Sequence, residues 1–205
     1  MPIPAGSVPS DGLVVRLPPG TPIVRVHWRT NGPVWFGPAA GSLPGGRFDA
    51  PAGEFGTMYA AEELVGAFAE TVLRKAARII AWPAVERRSW STLRLQREAT
   101  LAQLHGDGLL SWGVTSDICT GDDYAPSQAL SLELHGLALD GIAYRSRHNN
   151  DRICYALYDR LTPSALALED TSHFADAPEI ADDLVRRHKA AWDPLASMPP
   201  LTALP

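Results

Sequence analysis

The stretch 57-TMYAAEELVGAFAETVLRKAARIIA-81 decides the fold class, because it passes from a strand pattern directly into a helix pattern. Residues 57–61 predict a short strand or the end of one. Between residues 62 and 81, apolar side chains recur at spacings of three and four, and this period predicts a helix with one buried stripe. The stripe consists of Leu64, Phe68, Val72, Ala76 and Ile79. We expect Pro83 to end the helix.

The segments on either side of this stretch mix strands and helices. Residues 23–28 alternate, which places Arg25 and His27 on one face of a strand and apolar residues on the other. Further strands are predicted at residues 34–36, 88–97, 101–104, 140–146 and 152–158, and further helices at residues 125–135 and 180–192. The charges within 88–97 indicate an edge strand or a solvated face. Because strands and helices do not alternate regularly, the sequence predicts an α+β fold in a single domain.

Length and charge narrow the function classes. A chain of 205 residues is long enough for one sizeable core, with an irregular leader at 1–20, a main domain at 21–193 and a Pro-rich tail at 194–205. The net charge of −5 argues against general binding to nucleic acid or to an anionic membrane. No apolar run spans a bilayer and the first residues lack the pattern of a signal peptide, so a cytoplasmic location is expected. Cys119 and Cys154 have no metal-ligand spacing and are interpreted as separate thiols in or near the core.

Several common catalytic patterns do not occur in the sequence. It contains neither a phosphate-binding G-x-x-x-x-G-K-[ST] loop nor the G-x-G-x-x-G turn of dinucleotide-binding folds. It also contains neither the H-E-x-x-H zinc motif nor the G-x-S-x-G nucleophile turn. A metalloprotease or an esterase of the usual kind is therefore disfavoured.

Two candidate residues lie in or beside the long Gly/Pro-rich region at 31–56. Arg47 directly follows Gly45 and Gly46, where bare backbone lets a ligand approach and a guanidinium can grip phosphate oxygens in a fork. Tyr59 lies near the junction of the predicted strand and the predicted helix. Its ring can stack on a flat group while its hydroxyl forms a hydrogen bond. The alternatives are a surface Arg in a loop and a half-buried core Tyr.

Two further candidates lie on regular elements. Glu70 points away from the apolar stripe of its helix, and the alternative is an exposed Glu paired with Arg74. Ser146 ends a strand between Arg145 and Arg147 and can complete an anion site, and the alternative is a turn Ser among solvated charges.

Six short segments occur in a characteristic order across residues 23–160. They are Val24-Arg25-Val26, Gly46-Arg47-Phe48-Asp49, Tyr59-Ala60-Ala61, Ala69-Glu70, Asp123-Tyr124-Ala125-Pro126-Ser127-Gln128-Ala129-Leu130 and Asp140-Gly141-Ile142-Ala143-Tyr144-Arg145-Ser146-Arg147. This order resembles the RES-domain family, which is named for its recurring Arg, Glu and Ser. Phe48-Asp49 stands where many members have Trp-Asn. The unusual Pro and Gly content of residues 28–46 leaves the substrate range open.

The resemblance implies a fold, a substrate and a partner. Members of the family are mostly toxins of bacterial toxin–antitoxin pairs with a core similar to that of ADP-ribosyltransferases, and they act on NAD. The antitoxin usually carries a helix-turn-helix DNA-binding domain and covers the active site. By this resemblance we expect NAD as a substrate, no prosthetic group, no metal, no direct contact with nucleic acid or membrane, and a cognate antitoxin, with homo-oligomerisation left open.

The resemblance also assigns roles to residues. The family's catalytic set falls on Arg47, Tyr59, Glu70 and Ser146. Residues expected to bind the substrate are Arg25, Gly46, Phe48 and Arg147. Breaking the nicotinamide–ribose bond builds positive charge on the ribose, and Glu70 would stabilise this charge. Three alternatives remain open, namely transfer of ADP-ribose to water or phosphate, its transfer to a protein, and a binding module without turnover.

Overall fold

The computed structural model describes residue 9 and residues 11–37, 42–73 and 78–196. The strands are β1 Val14–Leu17, β2 Pro22–Trp28, β3 Thr57–Ala61, β4 Ile79–Ile80, β5 Arg88–Leu95, β6 Ala99–Leu104, β7 Gly141–Arg145, β8 Ile153–Tyr158, β9 Leu166–His173 and β10 Ala191–Trp192. The helices are α1 Leu64–Val72, α2 Trp82–Glu86, α3 Asp107–Ser111, α4 Asp117–Thr120, α5 Ala125–Gly136 and α6 Pro178–Arg187. Together they form a single α+β domain, as the sequence predicts. None of the helices in the described ranges is long and apolar enough to cross a membrane.

Eight of the strands form one mixed sheet in the order β1-β6-β7-β8-β3-β2-β5-β9, and β4 and β10 form a small parallel pair. Within the large sheet, β6 and β7 are parallel and the other neighbours are antiparallel. Strands β5 and β6 lie five positions apart, which is roughly 24 Å in a flat sheet. The short connection from Leu95 to Ala99 reaches at most about 14 Å. The sheet must therefore curl, so that the end of β5 approaches the start of β6.

The curled sheet has an apolar core on each face. One core lies inside the curl and includes Ile23, Met58, Leu93 and Leu157. The other core lies on the opposite face, where α1, α5 and α6 bury apolar side chains against the middle strands. Because both faces are covered, Arg25 and His27 are buried even though they occupy the polar face of the predicted strand.

The helix predicted at residues 62–81 is shorter in the structure. Helix α1 ends at Val72, Ile79 lies exposed in β4, and residues 74–77, which include Arg74 and Ala76, lie outside the described residues. Pro83 does not end a helix but occupies the first turn of α2. A proline is well tolerated there, since the amide hydrogens of a first turn have no partner within the helix.

Two other predicted elements are wrong in type or extent, and for residues 88–97 one of the two predicted environments, the edge position, is wrong. Residues 34–36 form no strand, and the neighbouring Gly37 makes only an isolated bridge with Thr57. Strand β5 is not at an edge, because β9, a largely exposed strand that the sequence analysis missed, pairs along it. The last helix ends at Arg187, where Lys189 takes a positive φ and the chain turns into β10.

The chain before residue 21 also contributes to the sheet. Residues 14–17, within the segment expected to be an irregular leader, form β1 and pair with β6. Residues 194–196 form a turn, and the rest of the predicted Pro-rich tail lies outside the described residues. The remaining predicted strands and the helix at residues 125–135 agree with the structure to within one or two residues.

Candidate active site

The site lies where the large sheet splits between β2 and β3. These strands share a single register pair, Val24 with Ala61. Beyond that pair, β2 continues beside β5 and β3 continues beside β8, so the two strands diverge. A cavity of about 460 Å³ opens in the gap, lined by both strands, by α1 and by loops.

The turn that carries Arg47 is held by a buried carboxylate. Asp49 accepts hydrogen bonds from the backbone N–H groups of Gly45 (2.9 Å) and Gly46 (2.6 Å). Its second oxygen accepts the hydroxyl of Tyr59 at 2.9 Å, and this hydroxyl in turn accepts the N–H of Phe48. A side chain at Gly46 would collide with Tyr59 and Asp49, so the turn requires glycine there. Asp49 and Tyr59 therefore fix the backbone on both sides of Arg47.

The guanidinium of Arg47 is largely buried at the wall of the cavity. It donates to the carbonyl oxygen of Gly121 at 2.8 Å and lies 4.4 Å from the ring centre of Tyr124. These two contacts come from the segment between α4 and α5. They hold the cation in one orientation, which lowers the entropic cost of binding an anion.

Glu70 lies on α1 and lines the cavity, and its carboxylate accepts a hydrogen bond from a residue of the sheet. The hydroxyl of Tyr144 on β7 donates to Glu70 Oε2 at 3.0 Å. Tyr144 is almost fully buried, and burial, followed by the negative charge of Glu70, raises the pKa of this phenol well above its usual value. The phenol therefore keeps its proton and remains a donor to the carboxylate.

Cations dominate the charged lining that the structure describes. The lining contains two carboxylates, those of Asp49 and Glu70, and four guanidinium groups, those of Arg25, Arg47, Arg88 and Arg147. Arg25 donates to the carbonyl of Trp35 at 2.7 Å, and burial lowers its pKa to about 10, which still leaves it charged at neutral pH. Arg147 pairs with the exposed Asp122 at 2.9 Å.

Two of the predicted site residues do not line the cavity. Ser146 is fully buried, and its hydroxyl oxygen accepts the N–H groups of His148 and Asn149. It thereby shapes the turn that carries Arg147 and His148, both of which do line the cavity. Phe48 is fully buried as well and packs edge-on against Tyr144 at 4.9 Å.

Several residues at the site were not singled out by sequence reasoning. Tyr144 belongs to an apolar strand pattern, so nothing local distinguishes it from a core residue. Asp49 carried a usable signal, since Asp side chains often accept backbone amide hydrogens in turns and Asp49 follows Gly45 and Gly46 by four and three residues. His148 lines the cavity, and burial, the largest of several causes, lowers its pKa. No group of three or more His, Cys, Asp or Glu within the described ranges has the geometry to hold a metal ion.

Comparison with known families identifies this arrangement. The sequence model of the RES domain matches residues 21–181, which is most of the chain. The chain belongs to the RES domain family. The range matched in this RES domain contains Arg25, Arg47, Tyr59, Glu70 and Ser146.

A comparison with solved structures agrees on the fold of this RES domain. A chain in the crystal structure of the M. tuberculosis MbcT–MbcA toxin–antitoxin complex is similar to it, with a TM-score of 0.66 and 18% sequence identity. The similarity covers 83% of this chain and 92% of that chain. At this level of identity the likeness shows a shared fold. A comparison with curated proteins found no significant match.

Proposed function

We propose that this RES domain is an NAD-consuming toxin of a toxin–antitoxin pair, which breaks the nicotinamide–ribose bond and passes ADP-ribose to water or phosphate. One observation carries the proposal. A carboxylate fixed by a buried phenol, Glu70 on Tyr144, shares a cavity with an excess of guanidinium groups. The cations suit the pyrophosphate of a dinucleotide, and the carboxylate suits the ribose whose bond breaks.

The reaction needs little besides a well-placed negative charge. As the bond from ribose C1′ to nicotinamide breaks, its electron pair returns to the pyridinium ring and positive charge grows on the ribose. Glu70 stabilises that charge where it develops. Nicotinamide leaves as a neutral molecule, so no acid partner is required. The donated hydrogen bond from Tyr144 limits the movement of the carboxylate.

The other site residues bind and position the substrate in this proposal. Arg47 grips the pyrophosphate, with Arg25 and Arg147 nearby, because guanidinium groups match phosphate oxygens in charge and geometry. Tyr59 presents its ring to the nicotinamide half while its hydroxyl secures the turn of Arg47. Ser146 acts through the turn that it stabilises rather than through direct contact.

Incubation of the purified protein with NAD, with and without phosphate, tests the reaction. Release of nicotinamide together with ADP-ribose supports hydrolysis, and release together with phosphorylated ADP-ribose supports phosphorolysis. Transfer of labelled ADP-ribose from NAD to a protein would support protein ADP-ribosylation instead of hydrolysis or phosphorolysis. Bound NAD without release of nicotinamide under any condition would leave a binding module and overturn the proposed enzyme.

Glu70→Gln tests the role of the carboxylate. We expect kcat to fall by roughly 10²–10³, because one transition-state contact of this kind is lost while the shape of the side chain is kept. The matched control is Glu63→Gln, which removes an exposed carboxylate that directly precedes α1 and pairs with Arg152 at the surface. The control should retain wild-type turnover. Undiminished NAD consumption by a folded Glu70→Gln protein would remove Glu70 from the mechanism.

Production of the protein in a bacterial host tests the toxin assignment. We expect growth arrest and a fall in cellular NAD with the wild type, and neither effect with Glu70→Gln. A small helix-turn-helix protein encoded next to this chain is the expected antitoxin, and its co-expression should restore growth. Arrest without a loss of NAD would separate toxicity from the proposed chemistry.

A further inference from the structure

Two tryptophan side chains border the cavity at the far end of β2. Trp28 ends the strand with 40% of its surface exposed, and Trp35 follows in the next loop with 45% exposed. Both line the same cavity as Glu70. Both indoles are therefore partly exposed at the wall of that cavity.

Both indoles are held in place. The guanidinium of Arg88 lies 3.8 Å from the ring centre of Trp28, and the two residues are opposite each other in the β2–β5 register. The carbonyl of Trp35 accepts a hydrogen bond from buried Arg25, and its ring lies so close over Gly37 that no side chain would fit there. The rings are therefore fixed before a ligand arrives, which favours binding of a flat group.

Trp28 lies away from the end of the cavity at which Glu70 is held. Val24, where β2 and β3 still pair, belongs to the same cross-strand row as Ala61, Cys154 and Tyr144. Tyr144 is the residue that holds Glu70. Trp28 lies four residues further along β2, which is roughly 13 Å in the strand direction. When the nicotinamide ribose of the substrate lies at Glu70, the rest of the substrate must lie elsewhere in the cavity.

We propose that Trp28 and Trp35 form the subsite for the adenine ring of the substrate, with Arg88 packed on Trp28 at the cavity wall. This inference rests on the proposed function and adds the residues that recognise the adenylate half. Stacking on an aromatic ring suits a purine because every base has a flat π face. Tyr124, a partly buried ring that also lines the cavity, contacts the guanidinium of Arg47, which the proposed function places at the pyrophosphate.

Calorimetric titration with AMP and with ribose 5-phosphate tests the subsite, because only the adenine distinguishes the two probes. We expect the wild type to bind AMP at least about tenfold more tightly than ribose 5-phosphate. Trp28→Ala should weaken AMP binding by about tenfold and leave ribose 5-phosphate binding unchanged. Trp28→Phe keeps a stacking ring and should retain most of the preference. Leu110→Ala, which shortens an exposed apolar side chain on α3 away from the cavity, should behave as the wild type.

Turnover provides a second measurement. Trp28→Ala and Trp35→Ala should raise KM for NAD and leave kcat/KM for nicotinamide mononucleotide unchanged, since that substrate lacks the adenylate half. If Trp28→Ala does not fold by circular dichroism, Trp35→Ala decides the question. A wild type without an AMP preference, or variants that keep the full preference, would overturn the subsite.

The two proposals fail in different ways. If the preference for AMP depends on Trp28 but the protein never cleaves NAD, the proposed enzyme activity is wrong and the adenine subsite is supported. If the kinetics of NAD cleavage are unchanged in the variants of both tryptophans, the adenine subsite is wrong and the proposed enzyme activity is supported.

Discussion

At the scale of single residues, the turn at Gly46 shows how strictly the local geometry is set. Gly45 and Gly46 both donate to Asp49, but only Gly46 is packed against other side chains. A methyl group at Gly46 would lie within 2.7 Å of Asp49 Oδ1 and closer still to Tyr59. A methyl group at Gly45 would meet no atom of the described residues within 4 Å.

Gly46→Ala should therefore lower the free energy of unfolding by about 1–3 kcal/mol, because the added methyl forces the turn and its carboxylate apart. Urea denaturation measures the change. Gly45→Ala is the matched control and should shift stability by less than about 0.5 kcal/mol. Equal effects of the two substitutions would contradict the packing described for the turn.

Tyr144→Phe tests the support of Glu70 by a single hydroxyl. We expect kcat to fall roughly 10–100-fold, since a hydrogen bond to a charged group is typically worth about 1.5–3 kcal/mol. Tyr155→Phe on the adjacent strand is the control, because Tyr155 is equally buried but belongs to the core inside the curl. If both variants fold and keep full turnover of NAD, the contact with Glu70 has no role in positioning.

At the scale of elements, the short connection between β5 and β6 determines the curl of the sheet. Arg97 in this connection donates twice to Asp140, at 2.7 and 3.1 Å, just before β7 begins. Asp140 also accepts the backbone N–H of Thr100 in β6. One carboxylate therefore ties the connection to both β6 and β7.

Asp140→Ala should lower the free energy of unfolding by about 1–3 kcal/mol, because it leaves the N–H of Thr100 without its acceptor and the guanidinium of Arg97 without its carboxylate partner. Glu169→Ala is a suitable control, since its ion pair with Arg94 is exposed on both sides and such pairs contribute about 0–1 kcal/mol. Chemical denaturation compares the two variants. A larger loss in Glu169→Ala would contradict the role given to Asp140.

At the scale of the whole molecule, four histidines make the fold sensitive to acid. Burial is the largest cause that lowers the pKa of His27, His105, His135 and His148. As the pH falls below about 6.5, the unfolded chain takes up protons that the folded chain does not. The unfolded state is then favoured, and stability is lost between this pH and the lower pKa values of the folded state.

We therefore expect the free energy of unfolding, measured in urea, to be smaller at pH 5.5 than at pH 7.5. Wild-type stability that is constant or greater at pH 5.5 would show that the histidines are not protected as the structure indicates.

Features that depend on local period and on the order of segments along the chain could be predicted from the sequence. Alternation marked β2, a proline and a glycine bracketed α5, and the lack of regular βαβ alternation gave the α+β class. The ordered segments gave the RES resemblance, which the family match confirms. These features can be recognised in the sequence because neighbouring residues determine the periods of 2 and 3.6 residues and the short turns.

Contacts between residues that are distant in sequence follow from the three-dimensional packing and not from a local pattern. Tyr144 reaches Glu70, and Arg47 reaches Gly121, across 74 residues of chain in each case. The gap that houses the cavity exists because β2 and β3 stop pairing after Val24, a matter of sheet order and curl that no local pattern encodes. The same packing buried Ser146 and Phe48 and left Trp28 at the cavity, because burial is set by what covers each strand and not by the residue's own neighbours in sequence.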